Sequence, residues 1–334
     1  MSLNNAKAVT RTLLCLGLPL LIFIMFLSLT QGAAPISLHQ IYSAFWQFEP
    51  DNMDHLMVRE LRLARTLTAA LIGMSLAMAG AIMQGVTGNP LADSGLMGLS
   101  AGGGFAVAVS MVFLPQLSYG ARLLFSFVGS AGAALIVFGI SYAIPGGKSP
   151  LKLILAGAAI TTLLTALSQG IALYGEVSQN LSFWTMGSVS STKGRQLQLG
   201  APFLLGAALL SLALTKHLTL LALGEETAKS LGIHTSRLRF ISILIVVILS
   251  GISTALAGVV SFVGIIVPHI ARKIVGSDFR QLLPLTGLFG AILLVSADLA
   301  ARFFFSQSDI PIGTLISLIG VPAFLYFARR ERRR

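Results

Sequence analysis

Long runs free of Asp, Glu, Lys and Arg dominate the chain, separated by short polar clusters. The runs are Thr12–Phe48, Thr66–Ala92, Ser94–Ala121, Leu123–Gly147, Leu153–Gly175, Gln196–Thr215, Phe240–Ala271, Gln281–Ala297 and Ile310–Ala328. A helix needs about 20 apolar residues to cross the hydrocarbon core of a bilayer, and each run approaches or exceeds that length. Phe240–Ala271 is too long for one crossing, and Gly251, Gly258 and Gly264 interrupt it. With its polar flanks it holds two spans, roughly 236–255 and 258–275. The pattern therefore predicts nine or ten transmembrane helices.

Charge decides between them. Lys7 and Arg11 precede the first run, and the chain ends in ARRERRR. The positive-inside rule puts both ends in the cytoplasm, which requires an even number of crossings. With ten, 16 of the 23 basic residues fall on inside segments and 7 on outside segments or outer helix ends. The first apolar stretch, Leu13–Leu29, exceeds the h-region of a signal peptide (about 7–15 residues), so it reads as a retained span, with cleavage near TQGAA the minor alternative. No repeat, low-complexity tract or soluble domain is visible, and residues 1–334 read as one transmembrane domain.

Composition agrees. The chain is 55% hydrophobic and 10% charged, with a mean hydropathy of +0.85, more apolar side chain than a soluble domain could bury. The net charge of +11 sits in short clusters between spans, which is a membrane pattern and not a nucleic-acid one. Cys15 stands alone, and His39, His55, His217, His234 and His269 have no ligand spacing, so no metal site or cofactor is expected. IPGGKS at 144–149 resembles a phosphate loop only superficially. Tyr142 stands where the first glycine belongs, and Lys148 and Lys152 read as inside anchors. Gly73, Ala77, Ala81 and Gly85 form a small-residue stripe suited to close helix contact.

The segment ALGEETAKSLGI, 222–233, is charged where a linker could be bland. It follows six spans and is therefore cytoplasmic, with one or two short helices across the membrane face. Glu225 and Lys229 can pair at i,i+4, Leu223, Ala228 and Leu231 give an apolar side, and Gly224 and Gly232 allow reversals. Such a segment is either a solvated turn or a rigid docking knob.

The pattern Ala-Leu-Gly-Glu-x-x-Ala-x-x-Leu-Gly-Ile resembles the coupling motif of the permeases that import iron–siderophore complexes, haem and vitamin B12. RLARTLTAALIGMSLAMAGAIMQGVTGNPLADSGLMGLSAGGG is similar to that family's second and third spans. GVVSFVGIIVPHIARKIVGSDFRQLLP resembles its eighth, and ADLAARFFFSQSDIPIGTLISLIGVPAFLYF its last two. Ala64, Ser94 and Val321 depart from it mildly, where it has proline, proline and alanine.

The resemblance implies the all-α, type II ABC importer permease architecture. It makes the loop at about 217–235 the contact with an ABC ATPase present in two copies, through Leu223, Gly224, Glu225, Glu226, Ala228, Leu231 and Gly232. It also implies that Arg62, Arg65 and Arg302, at outer helix ends, dock an extracytoplasmic substrate-binding protein, although each could simply anchor at the interface. Phe183 and Trp184 would border the translocation path between this chain and a second permease subunit, the same or a related chain. The cargo would be a ferric siderophore or similar metal chelate crossing a bacterial cytoplasmic membrane, with no chemistry performed by this chain. Asp298, one turn before Arg302, reads as its structural partner. The competing mechanism is an ion-driven secondary transporter coupled through Asp298.

Overall fold

A computed structural model describes residues 3–32, 36–143, 150–190, 192–304 and 310–331. The apparent phosphate loop at 144–149 lies outside them. In chain order the helices are α1 (Leu3–Thr30), α2 (Leu38–Trp46) and α3 (Met53–Leu56), which runs through a π-helical stretch (Met57–Leu63) into α4 (Ala64–Thr87). A short 3-10 turn (Ser94–Met97) leads into α5 (Leu99–Phe113), followed by α6 (Tyr119–Ala143), α7 (Pro150–Tyr174), α8 (Ser178–Thr185) and α9 (Gly194–Ala213). Two short helices, α10 (Thr215–Ala222) and α11 (Glu225–Ser230), precede α12 (Thr235–Ala257), α13 (Val263–Val275), α14 (Phe279–Phe304) and α15 (Ile312–Glu331).

Seven of these segments have the length and hydropathy to cross a membrane, and α5 and α15 contribute shorter apolar helices. With α13 they fill the ten positions read from the sequence. The expected eighth span begins five residues late, because 258–262 is not helical. At 1.5 Å per residue, α5 and α13 are only about 20 Å long, so each covers part of the bilayer.

The continuous Met53–Thr87 helix is the centre of the bundle, enclosed by α14, α12, α13 and α9. Lipid tails are as apolar as leucine, so helices associate here through close packing. The small-residue stripe provides it. At Gly73 and Gly290 the α4 and α14 backbones touch, and a Cβ on either glycine would lie 2.2 Å from the other's carbonyl oxygen. The exposed apolar side chains of α1, among them Leu16, Leu20, Ile22 and Phe23, are what a lipid-facing helix requires.

The break after α12 is held by backbone from two distant segments, 184–188 and 313. Ser188 N–H donates to Ala257 O (2.7 Å) and Gly313 N–H to Gly187 O (3.1 Å). A Cβ on Gly187 would lie 2.2 Å from Val259 O, one on Gly258 2.0 Å from Trp184 O, and one on Gly313 2.3 Å from Met186 O. Only residues without side chains let these strands of backbone meet.

Candidate functional site

The charged segment is a mounted knob. Gly224 (φ +119) and Gly232 (φ +80) reverse the chain on either side of α11. Ala228 is fully buried against the body, while Glu226 is exposed and Leu223 and Leu231 stand out at 65% and 58% exposure. The expected pair forms, with Lys229 Nζ 2.9 Å from Glu225 Oε1. The other oxygen of Glu225 accepts from Arg239 on α12 at 2.8 Å, a contact fourteen residues away that sequence spacing does not reveal. The Glu225 carboxyl is held below its ordinary range chiefly by the Lys229 hydrogen bond, with Arg239 adding to it.

The mount is α10. Leu218 and Leu221 are buried, and Thr219 ties it to the start of α14, its hydroxyl donating to Asp278 Oδ1 (3.1 Å) and accepting from Phe279 N–H (3.0 Å). The segment is thus tied to α12 through Arg239 and, by way of α10, to the start of α14.

At the opposite end of the bundle, the structure corrects one expectation. Arg62, Arg65 and Arg302 do not form an outward-facing set. Arg62 is 6% exposed and donates to Leu29 O at 2.7 Å. Asp298 is fully buried, with Arg65 Nε 2.8 Å from one oxygen and Arg302 on the other at 2.7 Å. Arg302 also donates to Ser28 O (2.8 Å) and Gln31 O (3.0 Å), and bonds the Ser28 hydroxyl. The physical reason is the end of α1, whose last carbonyls have no intrahelical partner and need donors. The guanidiniums supply them and lock α1, α4 and α14 together.

The Asp298–Arg302 pair is present as expected, and Arg65 completes a clamp. Ion-coupled transport asks for a carboxylate free to exchange partners. Both oxygens of Asp298 are already engaged.

Between these ends lies a cavity of about 310 Å³ among α5, α7, α8 and the non-helical 258–262 segment. Hydroxyls and an amide line it, including Ser100, Thr161, Thr165, Gln169, Ser182 and Thr185. Phe183 is exposed and Trp184 half-buried, but neither lines this cavity. Trp184 packs against Gly104 instead. On α7, Thr162, Thr165 and Gln169 are exposed along one face. Polar side chains at membrane depth face protein or water, not lipid tails. The sequence signal for this face was present in that threonine–threonine–glutamine spacing.

Comparison with known proteins covers nearly the whole chain. Residues 20–330 match the FecCD transport family. The chain is 44% identical over 323 residues to the iron(3+)-hydroxamate import system permease FhuB of Bacillus subtilis, covering 96% of this chain and 82% of that protein. It is 35% identical to the hemin transport system permease HmuU of Yersinia pestis, over 98% of each. A solved inward-facing conformation of a metal-chelate type ABC transporter superposes with a TM-score of 0.84 at 29% identity, covering 96% of this chain and 99% of that one.

Proposed function

Because the chain belongs to the FecCD transport family, we propose that it forms half of the channel of a binding-protein-dependent ABC importer for a ferric siderophore or similar metal chelate. It is a multi-pass membrane permease and performs no catalysis itself. Two copies of a separate ATPase supply the energy, and the membrane is the bacterial cytoplasmic membrane with both termini inside.

The observation that carries the mechanism is the knob. Two leucines stand exposed beside a braced charged helix, and buried side chains and backbone join that helix to α12 and α14. Exposed apolar side chains around a rigid charged element suit a protein groove. Nucleotide-driven closure of the ATPases would push the knob and tilt the helices behind it.

The polar face of α7 supports a second permease subunit, the same or a related chain, with the chelate passing between them. Ser182 and Thr185 border that path, with Phe183 and Trp184 on the same short helix. A substrate-binding protein docks on the end framed by Arg62, Arg65 and Arg302. Their contribution is to hold the helix ends of the platform in register, with exposed Lys193 and Arg195 adding charge on either side of Gly194, which packs beside Glu60.

Affinity purification from the native membrane tests the reading. An ABC ATPase should co-purify and be lost on Glu225→Lys with Glu226→Lys. A chain that purifies alone, under conditions that hold a known ABC importer together, would sink it.

A further inference from the structure

A second cavity, of about 310 Å³, lies where the knob segment runs into α12, lined by Lys229, Ile233, His234, Thr235, Ser236 and Arg237. The chain reverses at Gly232 (φ +80) and enters the helix three residues later. The first backbone hydrogen bond of α12 runs from Leu238 N–H to His234 O (3.0 Å), and the His234 side chain makes no capping bond. The N–H groups of Thr235, Ser236 and Arg237 therefore have no acceptor within the helix, which leaves partial positive charge at its start. All three residues line the cavity.

A bare helix start needs only water, but two further features set this one apart. Thr235 is 3% exposed and lines the cavity, and among the described residues its hydroxyl has no hydrogen-bond partner. A buried hydroxyl in that state costs free energy unless a ligand supplies the acceptor. Arg237 is exposed, and among the described residues no acidic side chain lines the cavity to pair with it. Glu225 does not fill the role, because Lys229 and Arg239 already hold its two oxygens. A guanidinium, free N–H groups and a hydroxyl are all donors, so the occupant they call for is an anion.

We infer that a carboxylate of the ATPase subunit, from an Asp or Glu side chain, enters this cavity when the ATPase grips the knob. The inference rests on the knob being the ATPase contact. Lys229 and Ile233 belong to the knob segment itself, so the cavity is continuous with the proposed docking surface around exposed Leu231. A carboxylate matches the planar fork of Arg237 and accepts from backbone N–H groups at a helix start. The consequence is a second hold. The leucines give the partner a grip beside α11, and the carboxylate grips the first turn of α12. Movement of the partner then reaches that span without passing through Glu225 and Arg239.

The test uses the chain purified with its ATPase from the native membrane. Ser236→Lys places an amine at the exposed edge of the cavity. A carbodiimide, which joins amines only to carboxylates in contact with them, should link that amine to an Asp or Glu of the ATPase, identified by mass spectrometry. Thr235→Val with Arg237→Gln should weaken ATPase binding roughly 10-fold, as expected for lost hydrogen bonds to a charged group.

An ATPase that co-purifies but is never linked to position 236, or an amine linked only to Glu226 of its own chain, would overturn the inference and leave the docking reading intact. So would unchanged ATPase affinity in the double variant. Inorganic phosphate bound by the chain without its ATPase, and lost in the same variant, would make the cavity a free-anion site instead. Absence of any ATPase from the unmodified preparation would remove the docking reading and this inference together. The crosslink depends on a surface substitution, so a double variant that fails to fold does not protect the idea.

Discussion

Gly73 of α4 and Gly290 of α14 meet backbone to backbone, each leaving the space that the other's carbonyl oxygen occupies. Leucine at position 73 would force the two helices apart at the centre of the bundle. Gly73→Leu should lower stability by about 1–3 kcal/mol or prevent folding, since overpacked contacts relax poorly. Gly206→Leu is the control, because no atom lies within 4 Å of a Cβ there. Thermal melts of the two purified variants should separate clearly.

Asp298 serves two arginines, so its removal should cost more than the loss of either. Asp298→Ala leaves two largely buried guanidiniums without their carboxylate, a loss of about 3–5 kcal/mol. Arg65→Ala leaves Asp298 still paired with Arg302 and should cost less. Comparison of melting midpoints checks the order, and an equal cost for the two would contradict the clamp. Asp298→Asn should retain chelate uptake in proportion to the folded protein remaining. Complete loss of uptake with normal folding would revive ion coupling.

Arg239 joins the knob to α12, so its removal should weaken transmission without removing the docking surface. In Arg239→Ala, the ATPase should still co-purify, while the chelate moved per ATP hydrolysed falls. Lys229→Ala should do less, because Lys229 is 55% exposed and water screens that pair. Measurement in proteoliposomes with the reconstituted ATPase distinguishes these outcomes.

The Glu225 contacts also fix a direction of pH dependence. The folded carboxyl lies below its ordinary value of 4.5, so the pairing contributes fully above that value. It is lost as pH falls through the lower, folded value. Knob order, followed by hydrogen exchange of 225–233, should stay flat from neutral pH down to about 5. Loosening should begin only in more acidic solution. The gain is small, tenths of a kcal/mol, because Glu225 is 30% exposed. Loosening near neutrality would show that the pairing does not hold the helix.

The hydroxyl-lined cavity predicts a block without a folding defect. Thr165→Trp should reduce uptake to background, since Thr165 is exposed on α7 and lines the cavity. Thr165→Ser should retain uptake. ATPase association and melting midpoint should not change in either variant.

The ten spans were legible because a bilayer imposes a length and the chain obeys it. The knob was legible because charge and glycine are costly inside a membrane and so mark an exit from it. The break at 258–262 was placed poorly. Its residues, Gly-Val-Val-Ser-Phe, are as apolar as any helix around them, and the backbone packed against them comes from 184–187 and 313. The outer arginines were misread for a related reason. A cation at a helix end looks exposed in sequence, and the carbonyls that draw it inward belong to α1, more than thirty residues before Arg62. Arg239 was missed because the fold, not helical spacing, brings it to Glu225.

The meeting of residues 187, 258 and 313 has a consequence for how such a carrier could change its cargo. The joint between the short helix, the broken span and the last helix closes main chain on main chain at three glycines, so it asks for the absence of a side chain at 187, 258 and 313. Walls around the cavity can therefore be repainted, hydroxyl for amide or large for small, while the joint keeps its shape. Selection on what is carried and selection on how it is carried act on different atoms.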